Sequence, residues 1–217
     1  MTSVWDYFTS HRSDVTSWFW TTVWLAAVPL ALGLIIAMPI GWLANRYRWS
    51  YPPITSAAGL LYTIPSLVLF LALPELLGTK ILAPVNVAIG LTAYTLALLV
   101  RTVADGLNSV SAGTLNAAAA MGYTGRQRFF AVQLPLAVPV IGAGLRVAAV
   151  SNVSLVSVAS VIGVTQLGQL FVIGYTENSV PPTILGLIIF VVLALLFDLA
   201  ILGLVRLLTP WQRAGTA

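Results

Sequence analysis

Ionisable side chains, the usual carriers of chemistry, are scarce here: nine Arg, Lys80, His11 and six carboxylates in 217 residues. No paired carboxylates, His cluster or nucleophile–base set is present, so the residue types an enzyme needs are missing. His11 is the single His and there is no Cys, so no metal site and no disulfide is expected. The distinctive charges lie inside apolar stretches, where one at the bilayer centre costs about 2.5–3.5 kcal/mol. Arg101 and Asp105 stand four apart on one helical face and can pair near the cytoplasmic end of their span. Arg146 and Asp198 fall in the inner halves of two other spans and can pair across helices. Each charge has a structural use, as an ion pair or a snorkelling side chain, and a functional one, as a gate that breaks during switching. Tyr62, Phe70, Tyr94 and Tyr175 could offer aromatic faces to a zwitterion or quaternary ammonium along a path, or could pack a core.

The elements that hold these residues follow from composition. The chain is 59% hydrophobic and 7% charged, against roughly 25% charged residues in a soluble domain, so the bilayer must be its solvent. A net charge of +4, thinly spread, excludes nucleic acid and fits loops held on one side of a membrane, against lipid. Residues 15–45, 49–74, 81–100, 147–176 and 178–197 hold no charged side chain. About twenty apolar residues cross a hydrocarbon core as a helix, which predicts spans near 18–44, 52–74, 84–107, 134–164 and 182–208. The expected fold is all-α: a polytopic membrane protein of about five transmembrane helices, interrupted by Pro29, Pro39, Pro65, Pro74 and Pro139.

Arg46, Arg48, Arg126, Arg128, Arg206 and Arg213 group on one side, and Arg12 and Lys80 with Asp6, Asp14, Glu75 and Glu177 on the other. The positive-inside rule then puts the N-terminus outside and the C-terminus in the cytoplasm, as an odd number of spans requires. This divides the chain into an extracytoplasmic segment 1–17, a membrane domain 18–208 and a cytoplasmic tail 209–217. The N-terminus lacks the short apolar core and cleavage site of a signal peptide and is expected to be retained. Its aromatic residues, from Trp5 to Trp24, predict an interfacial belt rather than a cation cage.

Residues 109–133 are too polar to be a sixth span. Ala117 to Ala120 is a strong helix-forming run, and Gly122 sits where a left-handed cap would end it. Thr124 and Gln127 form a capping-box pattern that starts a second short helix with Arg126, Arg128, Phe129 and Phe130. Pro135 then closes the segment and a new span begins. The product is a cytoplasmic helix–turn–helix elbow, with small residues that let a partner approach and an aromatic pair that can enter its groove.

Asn116-Ala117-Ala118, Gly122, then Val132-x-Leu134-Pro135 resembles in spacing the EAA loop that defines permeases of binding-protein-dependent ABC importers. One identity departs, Asn116 where that family usually has Glu. Thr63-Ile64-Pro65-Ser66, Val100-Arg101, Gly106-Leu107, Leu134 to Pro139, Gly144-Leu-Arg146, Gly163 and Leu167-Gly168 are similar to the branch importing glycine betaine, carnitine, choline and proline. That likeness covers roughly residues 20–205, with a departure at Val164-Thr165-Gln166.

The resemblance implies a type I importer permease fold in a bacterial cell membrane, forming half of a path for a small osmoprotectant. An amino-acid or methionine importer is the alternative, with a secondary transporter behind it. It implies a cytoplasmic ABC ATPase dimer docked through Asn116, Ala117, Ala118, Gly122, Arg126, Arg128, Leu134 and Pro135. An extracytoplasmic binding protein would meet the outer loops near 75–86 and 166–180. No Gly precedes a Lys, so there is no Walker A loop; the chain binds no cofactor, and ATP with Mg²⁺ belongs to the ATPase. A second permease completes the pore. Asn116 keeps the size of Glu without its charge, which tilts the expectation from a homodimer toward a heterodimer.

Overall fold

The computed structural model describes residues 3–211, among which every regular element is helical. Arg213 and most of the 209–217 tail lie outside the described residues. Helix α1 (Val4–Ser10) opens with a capping box in which Ser3 Oγ accepts from the Asp6 amide and the Asp6 carboxylate accepts from the Ser3 amide. Hydrogen bonding from the Ser3 side chain, and then from its backbone amide, favours the ionised form and holds the Asp6 carboxyl below its usual range. Helix α2 (Arg12–Arg46) starts six residues before the expected 18. Polar residues 12–17 send no hydropathy signal, yet Val15 is buried and anchors that first turn.

The second expected span is two helices, α3 (Tyr51–Thr63) and α4 (Ser66–Leu77), bent by 98°. Pro65 drives the preceding Ile64 to an extended conformation (φ −65°, ψ 127°). The Tyr94 hydroxyl donates to the Ile64 carbonyl that the break leaves without a helical partner. After α5 (Pro84–Asn108) come two short helices, α6 (Ala112–Ala120) and α7 (Gly125–Arg128). Pro135 does not interrupt the chain there. A π-helical turn, Phe129–Gln133, carries α7 straight into α8 (Leu134–Val158), with the Leu134 amide donating to the Phe129 carbonyl five residues back.

Helix α8 stops at Val158, six residues short of the expected 164. The connection to α9 (Gln169–Thr176) folds over the bundle end around fully buried Gln166. Its amide donates to the Val156 carbonyl at 3.0 Å and accepts from the Gly168 amide at 2.6 Å, standing in for missing backbone partners. Helix α10 (Val180–Leu208) completes the chain.

Helix directions follow from register. Gly33 meets Thr95, Gly41 meets Val103 and Asn45 bonds Asn108, so α2 and α5 run parallel. The intervening α3–α4 pair must therefore return the chain across the layer: Tyr51 lies at the level of Asp105, Tyr62 at Tyr94 and Phe70 at Gly90. Thr102 against Gly144 and Thr95 against Asn152 make α8 antiparallel to α5, and Val205 against Gly142 makes α10 antiparallel to α8. Five passes result, with α2 beginning and α10 ending on opposite faces. Small residues allow the close approaches: a Cβ at Gly41 would sit 2.7 Å from Val103. Apolar cores fill both ends, one around Leu25, Phe70, Leu91 and Leu167, the other around Leu99, Val103, Ala137 and Ala149.

Candidate functional site

The 109–133 elbow is built by local chemistry. Ser111 caps α6, its Oγ accepting from the Thr114 amide at 3.1 Å. Gly122 ends α6 in the left-handed region at φ +86°, where an L side chain is strained. The Thr124–Gln127 capping box then starts α7, its side-chain bonds at 2.9 and 3.4 Å. Asn116 and Ala117 face outward and Ala118 is buried within the elbow, so the three consecutive positions divide between a free surface and internal packing. Arg126 is exposed, whereas Arg128, Leu134 and Pro135 are half-buried. The two Phe side chains are not equivalent: Phe129 stacks edge-on to Trp42 of α2 at 6.3 Å and packs on the core, leaving Phe130 alone exposed, at 65%.

An amide cluster, not legible as a motif, ties the elbow to the bundle. Asn45 Nδ2 donates to Asn108 Oδ1 at 2.7 Å, and Gln133 Nε2 donates to Asn45 Oδ1 and the Leu107 carbonyl, both at 3.2 Å. Three elements, the ends of α2 and α5 and the π-turn, are thereby joined. The only sequence sign is a polar residue at each end of an apolar run. The elbow shares this face of the molecule with Arg46.

The intramembrane charges form two dissimilar pairs. Arg146 gives Nε and Nη2 to the two oxygens of Asp198 at 2.7 and 2.8 Å, a forked contact that clamps α8 to α10. Arg146 stands at the midpoint of α8 rather than in its inner half. Arg101 Nε stands 3.6 Å from an Asp105 oxygen, with the two side chains 71% and 47% exposed. Asp105 also accepts the Tyr51 hydroxyl at 2.6 Å, a partner sequence reading did not find.

The four aromatic candidates do not share one site. Tyr62 and Tyr94 meet edge to face at 5.7 Å. Phe70 is fully buried against Gly90, and Tyr175 is exposed on α9 beside a separate hollow lined by Ser157 and Val161. Among the described residues no group of three or more His, Asp or Glu side chains could hold a metal ion.

Comparison with known proteins bears on the whole arrangement. The family described as "Binding-protein-dependent transport system inner membrane component" matches residues 30–213. The chain is 36% identical over 192 residues to the osmoprotectant import permease protein OsmW of Salmonella typhimurium, covering 87% of this chain and 88% of that protein. It is 29% identical over 208 residues to the glycine betaine/carnitine/choline transport system permease protein OpuCD of Bacillus subtilis, covering 95% and 90% respectively. Among solved structures, an inward-facing MetNI methionine ABC transporter chain superposes with a TM-score of 0.82 at 22% identity, covering 92% of this chain and 98% of that one.

Proposed function

The chain belongs to the binding-protein-dependent transport system inner membrane components, the permeases of ABC importers, and from that membership we propose that its cargo is a small osmoprotectant such as glycine betaine, choline, carnitine or proline. The cargo reading is supported by relatives named for import of osmoprotectants, glycine betaine, carnitine and choline. The mechanism reading rests on one observation above all, the 109–133 elbow.

The elbow lies on the cytoplasmic side, with the start of α2 outside and the end of α10 inside. It docks in a groove on a separate ATPase, presenting Asn116, Ala117, Arg126 and Phe130 outward. Small exposed side chains permit close approach, and Phe130 supplies an apolar anchor of the kind that dominates interfaces. ATP binding and hydrolysis by two such ATPases draw two elbows together. Through the Asn45–Asn108–Gln133 cluster that movement reaches α2 and α5 and alternates access to a path shared with a second permease. An extracytoplasmic binding protein delivers cargo at the opposite face.

The absence of Cys makes this testable with a unique handle. Ala117→Cys, in a transporter assembled with its ATPase and binding protein, should cross-link to the ATPase in a nucleotide-dependent way. Proteoliposomes should take up labelled glycine betaine with ATP inside and binding protein outside. No cross-link would overturn the docking, and no uptake of any of the four solutes would overturn the cargo.

A further inference from the structure

The two intramembrane ion pairs differ in a way that gives one of them a second use. Asp198 fills the Arg146 fork at 2.7 and 2.8 Å. The 3.6 Å Arg101–Asp105 approach is too long for a formed hydrogen bond. Arg101 also lies beside the Tyr51 hydroxyl, which is itself committed to Asp105. The Arg101 guanidinium is thus held by charge but not clamped.

Its surroundings are those of a binding wall. Arg101, Asp105, Thr102, Thr55, Gly59 and Tyr62 line a hollow of about 450 Å³ between α3 and α5. Small-molecule sites usually span roughly 300–1,000 Å³. Nor does this face suit lipid. Helix α10 exposes Leu187, Ile188, Val191, Val192, Leu195 and Leu196, an apolar surface suited to acyl chains. Exposed charges in the last two turns of α5, opening on the hollow rather than on an apolar surface, suit the water-filled end of a path.

The wall also carries an aromatic face. Tyr62 is 46% exposed and braced edge-on by Tyr94, whose hydroxyl is tied to the Ile64 carbonyl at the α3–α4 break. Tyr62 and Arg101 line the same hollow from its two helices, one on α3 and the other on α5.

We propose that this wall is a substrate station for a zwitterion that joins a carboxylate to a quaternary ammonium. Arg101 donates its fork to the carboxylate, the Tyr62 ring offers its face to the ammonium, and Asp105 is the competing anion that holds Arg101 between substrates. The station rests on the osmoprotectant reading above and adds a site to it. Because Asp105 competes with the substrate, removing its charge strengthens binding, whereas removing Arg101 weakens it. A purely structural pair would lose in both.

The test is equilibrium binding of labelled glycine betaine and labelled proline to the ATPase-bound permease complex in nanodiscs, without binding protein. Arg101→Gln should weaken glycine betaine binding about tenfold or more, the scale of a lost charge-assisted hydrogen bond, with Arg101→Lys intermediate. Asp105→Asn, which can still accept from Tyr51, should tighten it several-fold. Tyr62→Leu should weaken glycine betaine but leave proline, which has no quaternary nitrogen, nearly unchanged. Thermal unfolding of each complex identifies variants that lose binding only through loss of fold. If the wild-type complex transports glycine betaine but does not bind it here, the station is wrong. It is equally wrong if Arg101→Gln binds normally, or if Asp105→Asn loses as much as Arg101→Gln. If the complete transporter moves none of the four solutes, the cargo reading itself has failed.

Discussion

Asn152 brings an amide into the apolar middle of the bundle at 2% exposure and spends it on neighbours. Its side chain exchanges hydrogen bonds with Thr95 of α5 at 2.9 and 3.1 Å and reaches the Ala26 carbonyl of α2 at 3.5 Å. Asn152→Ala strands the Thr95 hydroxyl in a dry site and should cost about 1–3 kcal/mol, seen as a lower unfolding temperature in detergent. The Arg146–Asp198 clamp obeys a different rule. Removing one partner leaves a charge among apolar side chains, so Arg146→Gln and Asp198→Asn should each destabilise. The loss should be smaller than for an enclosed ion pair, because the side chains are 37% and 23% exposed. The double variant should be more stable than the sum of the two losses predicts, which a thermal double-mutant cycle measures. Transport by the same three proteins separates clamp from gate: unchanged coupling in the double variant removes any gating role.

At the scale of elements, the elbow was legible because its signals are local. A left-handed Gly, a capping box and an Ala run act within a few residues, and the structure realises each of them. The 98° break and the π-turn were not legible, because each depends on a distant partner. Pro65 announces an interruption, but the group that takes the freed Ile64 carbonyl, the Tyr94 hydroxyl, lies thirty residues from it. Pro135 reads as a stop, but the π-turn before it takes up the change in hydrogen bonding and Gln133 pins that turn to Asn45 and Leu107. Aromatic candidates failed to cluster for the same reason, since composition does not say which ring faces inward. On the proposed coupling, elbow motion enters the bundle at Gln133, so Gln133→Leu should fold and assemble yet lose coupling. Its expected signature is ATP hydrolysis that no longer responds to loaded binding protein, with unfolding temperature within a few degrees of wild type. Gly122→Ala should act in the same direction, since a non-Gly residue in that region costs about 1–2 kcal/mol and reshapes the turn between α6 and α7.

For the whole molecule, charge gaps and helix register arrive at the same five passes by independent routes, one from where ionisable residues are missing and one from which residues touch. The α3–α5 wall exposes Arg101 and Asp105 where α10 exposes apolar side chains, and on the proposed path a second wall stands opposite. What supplies it turns on Asn116, which is exposed on α6 and lacks the carboxylate that the resembled loop usually places there. An amide offers the ATPase a neutral hydrogen bond where a carboxylate offers a charge-assisted one, roughly twice as strong. Two such weakened elbows would transmit closure poorly, whereas one beside a Glu-bearing partner retains a strong contact on one side. The expected assembly is therefore a heterodimer, and native mass spectrometry of the purified transporter should find two different permeases on one ATPase pair. In that assembly Asn116→Glu should raise cargo-stimulated ATP hydrolysis about several-fold, the value of one added charge in a hydrogen bond. Full, saturable uptake by liposomes holding this permease alone with its ATPase and binding protein would remove the heterodimer, and an Asn116→Glu variant with unchanged hydrolysis would remove the reason for it.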